Sequence, residues 1–464
     1  MTTIRMADAD AAWLGMDAPD NLMMVTAVLR FDEKLDRARF ADVVRERMVE
    51  PYPTFRRRAL PSTSPLEQPV WVDDPDFDLD RHLVAARLPA GRDDEAALAD
   101  LVGDLLGTPL DMSRSPWQLQ LVEGPGEGST VVARLHHCIA DGMALAAVLL
   151  NLTDDLPAPT ADTSPPADGG TRGARRPGLV RRVNDATKGV AGVTGHQTGH
   201  QTDRGMRPVR RAWTALRFGV EVVGTGLRIV FAARDPRTRL SGRLGTRKRA
   251  AWTRELDLGD VKAIARRLGV TVNDVLLSVT AGALRRHLMQ HGGRAHDLRV
   301  FVPVNLRPAG QPVPTSLGNR FGLVFVRLPI SVADPVERAR AVHDRMSQVK
   351  GTPQAAATFA ILSIVGALPS WGHRLAVRVL GAKSSAIVTN VPGPRDVVLL
   401  AGSPLTRVVF WVPQAGAVGL GISIFSYAGR VTVGVAADCN VVADPREITT
   451  AVEAELDELV GRLG

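Results

Sequence analysis

The sequence predicts an α/β (α+β) protein of two lobes with mixed sheets, joined by a long linker. Predicted strands alternate with predicted helices in both halves of the 464-residue chain, and this alternation is typical of layered α/β architecture. A segment rich in Pro, Gly, Arg and polar residues separates the two halves. Hydrophobic residues make up 45% of the chain, which allows a sizeable core and excludes global disorder.

The composition divides the chain into three predicted parts. We expect a first lobe over residues 1–156, a flexible basic linker over 157–210 and a second lobe over 211–464. The linker contains the short polar repeat 195–202, which includes two histidines. Because the repeat is polar and predicted to be flexible, we expect these histidines to be inert rather than to bind a metal.

The first lobe is predicted to alternate strands and helices. The amphipathic stretch 36–49 predicts a helix that ends before Pro51, since proline cannot continue a helix. Trp117 is expected in the core. The other predicted elements are strands at 23–31, 117–122 and 130–135 and helices at 94–106 and 142–152.

The second lobe is predicted to repeat this pattern. Thr271 and Asp274 form a capping-box-like pair, which predicts the start of a helix. The apolar helix predicted at 355–368 is short for a bilayer span, so we expect no transmembrane segment. The remaining predictions are strands at 298–304, 322–328, 418–427 and 431–437, helices at 211–233, 257–268 and 272–291, and a final helix capped by Asp444 with Pro445 at its first position.

The net charge of +8 is concentrated in one segment. Residues 171–250 carry +15, and the rest of the chain carries −7. The segment lacks zinc-ligand spacing and an aromatic-rich ribbon, so we expect no nucleic-acid partner. A solvated linker and a surface for phosphates or anionic lipids are the two interpretations that remain.

The cysteines and the N-terminus indicate a cytoplasmic protein. Cys138 and Cys439 are the only cysteines, which excludes a disulfide framework and fits a reducing compartment. Residues 1–5 lead into acidic sequence without a continuous apolar stretch, so we expect no secretory signal.

The stretch His136–Gly142, with the sequence HHCIADG, carries the clearest chemical pattern. It follows a predicted strand and precedes a predicted helix. Adjacent strand residues point to opposite faces, so the two histidines are expected to play different roles. A strand-end histidine is a candidate general base. On spacing alone, three alternatives remain: plain core histidines, a zinc site and a Cys138 nucleophile. The sequence offers no third metal ligand at a familiar spacing nearby, which argues against zinc. The apolar neighbours of Cys138 favour a buried structural cysteine.

The HHxxxDG pattern resembles the signature of the acyl-CoA-dependent acyltransferases that include chloramphenicol acetyltransferase and peptide-synthetase condensation domains. Further blocks narrow the resemblance to the bacterial wax ester synthase/acyl-CoA:diacylglycerol acyltransferase family, over about residues 5–460 without the linker. These blocks are Ala7–Leu14, Ser115-Pro116-Trp117 in place of Pro-Leu-Trp, Thr271–Leu277, Pro303–Arg307 with Asn305 in place of Ser, Leu317–Asn319 and Thr389–Pro394.

The resemblance implies two chloramphenicol-acetyltransferase-like lobes with the active site in a tunnel between them. It implies transfer of a long-chain fatty acyl group from acyl-CoA to diacylglycerol or a long-chain alcohol. His137 would accept the hydroxyl proton, His136 would orient the strand, and Asp141 and Gly142 would shape the loop. The reaction would need no acyl-enzyme, no metal and no redox cofactor, with acyl-CoA as co-substrate.

Five further residues are carried over as substrate-binding or structural support. The turn formers and helix-cap positions among them favour a structural role, and Arg307 is expected to pair with Asp141. The five residues are Asn273, Asp274, Arg307, Asn319 and Asn390.

Because the implied acceptors are insoluble, the resemblance also implies a peripheral position on the inner face of the membrane or on lipid droplets. Two other functions stay open: a condensation-type acyltransferase with another acceptor, and a catalytically weak paralogue that binds lipid or CoA. A plant-type acyltransferase is disfavoured, since its late Asp-Phe-Gly-Trp-Gly motif is absent.

Overall fold

A computed structural model gives the fold of most of the chain. The described residues are 3–61, 67–89, 94–124, 128–154, 221, 224–228, 231, 235–236, 238–307, 315–350, 352–366, 368, 381, 383–414 and 416–463. The predicted linker 157–210 lies outside them, as does most of the predicted helix 211–233. No helix in the described part of the chain is long and apolar enough to cross a membrane.

Strands and helices alternate along the described chain. The strands are β1 (Thr3–Arg5), β2 (Met24–Phe31), β3 (Arg57–Leu60), β4 (Val70–Asp73), β5 (Leu83–Arg87), β6 (Trp117–Glu123), β7 (Ser129–His136), β8 (Lys248–Trp252), β9 (Leu256–Asp257), β10 (Leu298–Asn305), β11 (Phe321–Leu328), β12 (Ala386–Pro392), β13 (Leu399–Leu400), β14 (Ser403–Trp411), β15 (Leu420–Tyr427) and β16 (Arg430–Asp438). The α-helices are α1 (Asp8–Met16), α2 (Arg37–Val44), α3 (Asp94–Leu106), α4 (Gly142–Asn151), α5 (Leu258–Leu268), α6 (Val272–Gln290), α7 (Pro335–Lys350), α8 (Gln354–Gly366) and α9 (Arg446–Leu463).

The first lobe is built on a six-stranded sheet in the order β13-β14-β2-β7-β6-β5. All eight residues of β7 are buried, and it lies antiparallel between β2 and β6. Because both faces of such a strand are buried, its side chains must be apolar or hydrogen-bonded, which explains its run of Val131, Val132 and Ala133. β7 therefore provides a rigid support for the histidines at its end.

The second lobe is built on a mixed sheet in the order β11-β10-β12-β15-β16-β8, with β9 also paired to β16. β12 runs parallel to both β10 and β15, while the other pairs are antiparallel. Buried side chains of α5, α6 and α9 share one core with this sheet. Their amphipathic patterning explains why they cover it.

The two lobes exchange secondary-structure elements. β14 comes from the second half of the chain but pairs antiparallel with β2 of the first sheet. In return, α3 of the first lobe packs against β8 of the second. The first sheet therefore contains strands from both halves of the chain. The division into 1–156 and 211–464 stays a prediction.

Several predicted elements are confirmed. The helix at 94–106 has the predicted bounds, and those at 142–152, 257–268 and 272–291 differ by one residue at an end. Thr271 and Asp274 form a complete capping box. Trp117 is buried in the core, as expected, and its indole donates to the carbonyl of Phe55 at 2.9 Å.

The helix predicted at 36–49 is observed over this range, but its second half is π-helical rather than α-helical. Asp36 caps α2, but the α-helix ends at Val44 and residues Arg45–Val49 form a π-helical turn. Met48 and Val49 are both buried there, and the wider turn places both in the core. The apolar helix predicted at 355–368 is observed as α8, shifted by one or two residues at its ends.

Candidate active site

The two histidines lie where β7 ends. His136 is the last residue of β7, and its backbone N–H donates to the carbonyl of Pro116 at 2.9 Å. The N–H of His137 donates to the carbonyl of Met23 at 2.7 Å. Backbone bonds to both flanking segments fix the direction of each side chain, so the two imidazoles cannot exchange places.

The imidazole of His137 faces a cavity and is held by aromatic rings. It stacks on Trp13 with ring centroids 4.1 Å apart, and Phe321 lies 5.6 Å away. Burial lowers the pKa of His137 to about 4, because a desolvated site disfavours the charged ring. At neutral pH this side chain is therefore uncharged and can accept a proton.

His136 does not line the cavity. Its Nδ1 accepts a hydrogen bond from the N–H of Cys138 at 3.1 Å, which places the proton of the neutral ring on Nε2. Nε2 lies 3.6 Å from Oδ1 of Asp17. The different surroundings of the two histidines agree with the sequence-based expectation of different roles.

Cys138 does not have the environment of a nucleophile. Its side chain is fully buried in the apolar core of the first lobe. Burial raises the pKa of its thiol, because the thiolate would lose its hydration. The interpretation of Cys138 as a structural residue fits this environment.

Asp141 closes the loop that follows the histidines. Its Oδ1 caps α4 by accepting the N–H of Ala144 at 2.9 Å. Its Oδ2 accepts from Nη1 of Arg307 and from the N–H of Arg320 at 2.9 Å. Both charged side chains are more than nine-tenths buried, so the predicted Asp141–Arg307 pair is confirmed as a buried ion pair between the lobes. These hydrogen bonds of Asp141 all go to the scaffold, so its carboxylate holds the loop in place.

The segment Leu317–Asn319 of the second lobe docks on this loop. The N–H of Gly318 donates to the carbonyl of Ile139 at 3.2 Å, and its own carbonyl accepts from Nη2 of Arg307 at 2.6 Å. Leu317 and Gly318 have φ values of 52° and 92°, a left-handed backbone that glycine adopts readily and leucine rarely. Strain of this kind is tolerated where surrounding contacts over-determine the position.

Asn319 links this segment directly to His137. Its Nδ2 donates to the backbone carbonyl of His137 at 2.8 Å and to Oδ1 of Asp10 at 2.7 Å. The N–H of Asn319 donates to the same Asp10 oxygen at 2.9 Å. Burial raises the pKa of Asp10 to about 7, against the effect of these hydrogen bonds. Asn319 is thus a positioning residue for the backbone of His137.

The cavity between the lobes measures about 230 Å³. His137, Asp141, Asn305, Thr389 and Asn390 supply its polar side chains. Apolar side chains form most of the remaining wall, and they come from both lobes: Trp13, Met143, Pro303, Phe321, Leu323, Ile387, Val391, Pro392, Phe410, Val412 and Pro413. A largely apolar cavity with few polar groups is typical of a site for an apolar ligand.

Gly142 also lines the cavity, at the first position of α4. A Cβ built on it would meet only the side chain of Val412, at 3.8 Å, which is ordinary van der Waals contact. Protein packing therefore does not require glycine here, and the missing side chain leaves room in the cavity beside His137.

The other residues carried over from the resemblance divide into two groups. Asn390 lines the cavity, and its Nδ2 donates to Oδ1 of Asn273 at 3.0 Å. Asp274 is buried at the start of α6, where it completes the capping box and contacts Nδ1 of His343 at 2.7 Å. Asp274 does not line the cavity.

A larger open groove of about 880 Å³ lies elsewhere, between α3 and β8. Charged side chains of both signs line it, including Asp100, Arg249 and Arg446. None of the motif residues reaches it. The smaller cavity, in contrast, contains the neutral imidazole of His137 and is lined by side chains of both lobes.

Two residues of the site were not identified from the sequence. Asp10 and Trp13 both lie in α1, within the block Ala7–Leu14 that carries part of the family resemblance. An acidic residue on a buried helix face three residues from a tryptophan was the available signal. Only the fold shows that this face contacts His137 and Asn319.

Comparison with known proteins agrees with this architecture. A family model described as the wax ester synthase/diacylglycerol acyltransferase catalytic domain matches residues 6–276. A second model, described as the C-terminal domain of the same family, matches residues 317–460.

Two Mycobacterium tuberculosis proteins that carry the name diacylglycerol O-acyltransferase are similar in sequence. One is 30% identical over 98% of this chain and 90% of its own length. The other is 28% identical over 92% of this chain and 88% of its own length.

Two solved structures are similar in fold. The wax ester synthase/diacylglycerol acyltransferase of Marinobacter aquaeolei has a TM-score of 0.67 at 20% identity, over 99% of this chain and 100% of its own. The first condensation domain of the calcium-dependent antibiotic synthetase has a TM-score of 0.59 at 16% identity, over 100% of this chain and 96% of its own. These confirm the two-lobed fold. The chain therefore belongs to the wax ester synthase/diacylglycerol acyltransferase family of acyltransferases.

Proposed function

We propose that the protein transfers a long-chain fatty acyl group from acyl-CoA to the hydroxyl of diacylglycerol, and also to long-chain alcohols. The observation that carries the proposal is a neutral, buried imidazole at the wall of an apolar cavity between the lobes. The cavity suits an acyl chain, and the imidazole suits the removal of a hydroxyl proton. The named mycobacterial relatives support the same acceptor class.

The reaction is a direct transfer. His137 accepts the hydroxyl proton as the alcohol oxygen attacks the thioester carbon, and the carbonyl becomes a tetrahedral oxyanion. The C–S bond then breaks, and the proton on the imidazolium passes to the CoA thiolate. The hydroxyl of Thr389 and the amide of Asn390 lie on the cavity wall as candidate donors to the oxyanion. No covalent acyl-enzyme forms.

The other motif residues act through position. His136 receives the N–H of Cys138 and so shapes the turn after the strand. Asn319 holds the carbonyl of His137, and the Asp141–Arg307 pair holds the loop against the second lobe. Pre-organisation of this kind keeps the imidazole of His137 within hydrogen-bond distance of the acceptor hydroxyl. A condensation-type reaction and a weak lipid-binding paralogue are the alternatives, and neither has an observation of its own that favours it.

An acceptor comparison tests the proposal. Purified protein is incubated with radiolabelled palmitoyl-CoA and diacylglycerol, hexadecanol or water alone, and the lipid products are separated. We expect labelled triacylglycerol and wax ester, with release of free palmitate in water alone much slower. Equal release of CoA with and without an acceptor would identify a hydrolase. Binding of palmitoyl-CoA with no turnover would identify the paralogue.

We also propose that the protein docks peripherally on anionic membrane or lipid-droplet surfaces. Residues 171–250 carry +15, and Leu227 and Phe231 within this segment are 54% and 80% exposed. Both residues are in helical conformation. Exposed apolar side chains beside cationic ones are typical of an interfacial helix, and docking would bring the enzyme to its insoluble acceptor.

Vesicle co-sedimentation tests the docking. Binding should rise with the fraction of anionic lipid and fall with salt, because each cation near the surface adds about 1 kcal/mol that ions screen. Phe231→Ser should weaken binding, whereas Val397→Ser, at another apolar residue that is 55% exposed, should not. Equal pelleting on neutral and anionic vesicles would refute electrostatic docking.

A further inference from the structure

A second cluster of chemically active side chains lies far from the cavity, where the end of α6 meets the first turn of α9. His287 lies in the last turn of α6, His291 is the residue that directly follows α6, and Glu447 lies in the first turn of α9. One potential ligand atom of each residue lies within 4.8 Å of the others. In the part of the chain that the structure describes, no other trio of His, Cys, Asp or Glu side chains meets this condition.

The helix geometry creates the convergence. Residues four apart on a helix lie on one face, so His287 and His291 both face Glu447. Oε2 of Glu447 lies 3.0 Å from Nδ1 of His287 and 2.7 Å from Nε2 of His291. Ligands of a tetrahedral ion at about 2.0–2.1 Å are separated by about 3.3 Å. Small side-chain rotations would therefore admit an ion.

The buried member of the cluster has a ring nitrogen that is poorly satisfied. His287 is 5% exposed, and its Nδ1 lies 3.0 Å from Oε2 of Glu447 but does not have the geometry of a hydrogen bond. Buried polar atoms normally have a partner, so this one needs a physical reason.

We propose that His287, His291 and Glu447 bind a divalent transition-metal ion, for which zinc is the expected occupant. Two imidazoles and one carboxylate suit zinc, with water at the fourth position. The ion would tie the end of α6 to the start of α9. It would not take part in acyl transfer, because at 1.5 Å per residue the cluster lies about 21–27 Å along α6 from Asn273, which contacts the cavity residue Asn390.

Zinc titration of the full-length, metal-stripped protein tests this proposal. We expect one tight equivalent by calorimetry and a zinc-dependent rise in Tm of about 2–5 °C. His291→Ala and Glu447→Gln should each weaken zinc binding at least about tenfold, because each removes a ligand. His296→Ala is the matched control, since His296 is an exposed histidine of the same loop region outside the cluster.

Each outcome decides the question. Tight binding in the wild type and in His296→Ala, with loss in His291→Ala and Glu447→Gln, supports the site. No zinc-dependent change in Tm together with no tight equivalent overturns it. Tight binding that His291→Ala leaves unchanged also overturns it, because the zinc then sits elsewhere on the chain. Acyl transfer by His291→Ala should equal that of the wild type in all cases.

Discussion

His137→Ala should lower the rate of acyl transfer by about 10²–10⁴-fold while the protein still folds, because a positioned general base typically contributes that much. The imidazole lies at the wall of the cavity and is neutral, so its loss removes the proton acceptor. The measurement is kcat with palmitoyl-CoA and diacylglycerol, alongside the melting temperature. A variant that retains more than about a tenth of wild-type activity would place the base elsewhere.

His136→Ala is the matched comparison within the motif. His136 is buried and does not line the cavity, but it accepts the N–H of Cys138. Its removal leaves a buried donor without a partner, which costs about 1–3 kcal/mol. We therefore expect a clear loss of unfolding free energy and a milder loss of kcat than in His137→Ala. The reverse ranking would show that the roles of the two histidines are exchanged.

The pH dependence of kcat/KM tests the same base independently. Since burial lowers the pKa of His137 to about 4, activity should be present above that pH and be lost as pH falls through it. Asp10, whose pKa burial raises to about 7, also lies near the loop and contacts Asn319. A change of slope in kcat/KM near pH 7 that is absent in Asp10→Asn would come from titration of Asp10. An acid limb near the ordinary histidine pKa of about 6.5 would contradict a desolvated His137.

The sequence was sufficient for the local features of the site. The apolar run of β7, the Asp141–Gly142 turn and the helix that follows could be predicted, because each depends on residues adjacent in the chain. The Thr271–Asp274 capping box is equally local and was confirmed. Alternation of faces along a strand was enough to separate His136 from His137.

The sequence was insufficient where distant segments meet. The stacking of Trp13 on His137 joins α1 to the end of β7, and no periodicity in either segment encodes that contact. Strand β14 pairs with β2 across more than 370 positions in the chain, so the composition of the second half could not assign it to the first sheet. The pairing of Arg307 with Asp141 could be predicted only because both residues belong to recognisable motifs.

Asp141→Asn and Arg307→Met should each lower the free energy of unfolding by about 3–5 kcal/mol, because removing one partner of a buried ion pair strands the other charge. The side chains of Arg307 and Asp141 are only 8% and 3% exposed, so water cannot replace the lost partner. Asp141→Asn keeps an oxygen that can cap α4, whereas Arg307→Met also removes the donor to the carbonyl of Gly318. The measurement is urea denaturation of both single variants and the double variant.

The double variant should lose clearly less stability than the two single losses combined, because it leaves neither charge stranded. The exposed pair Arg87–Glu123, with side chains 84% and 53% exposed, is the matched control. Its cycle, with Arg87→Met and Glu123→Gln, should give a coupling of only about 0.2–1 kcal/mol, since water screens exposed pairs. Additive losses at Asp141 and Arg307 would dismiss their coupling. Because this pair joins the histidine loop to the second lobe, both single variants should also lower kcat.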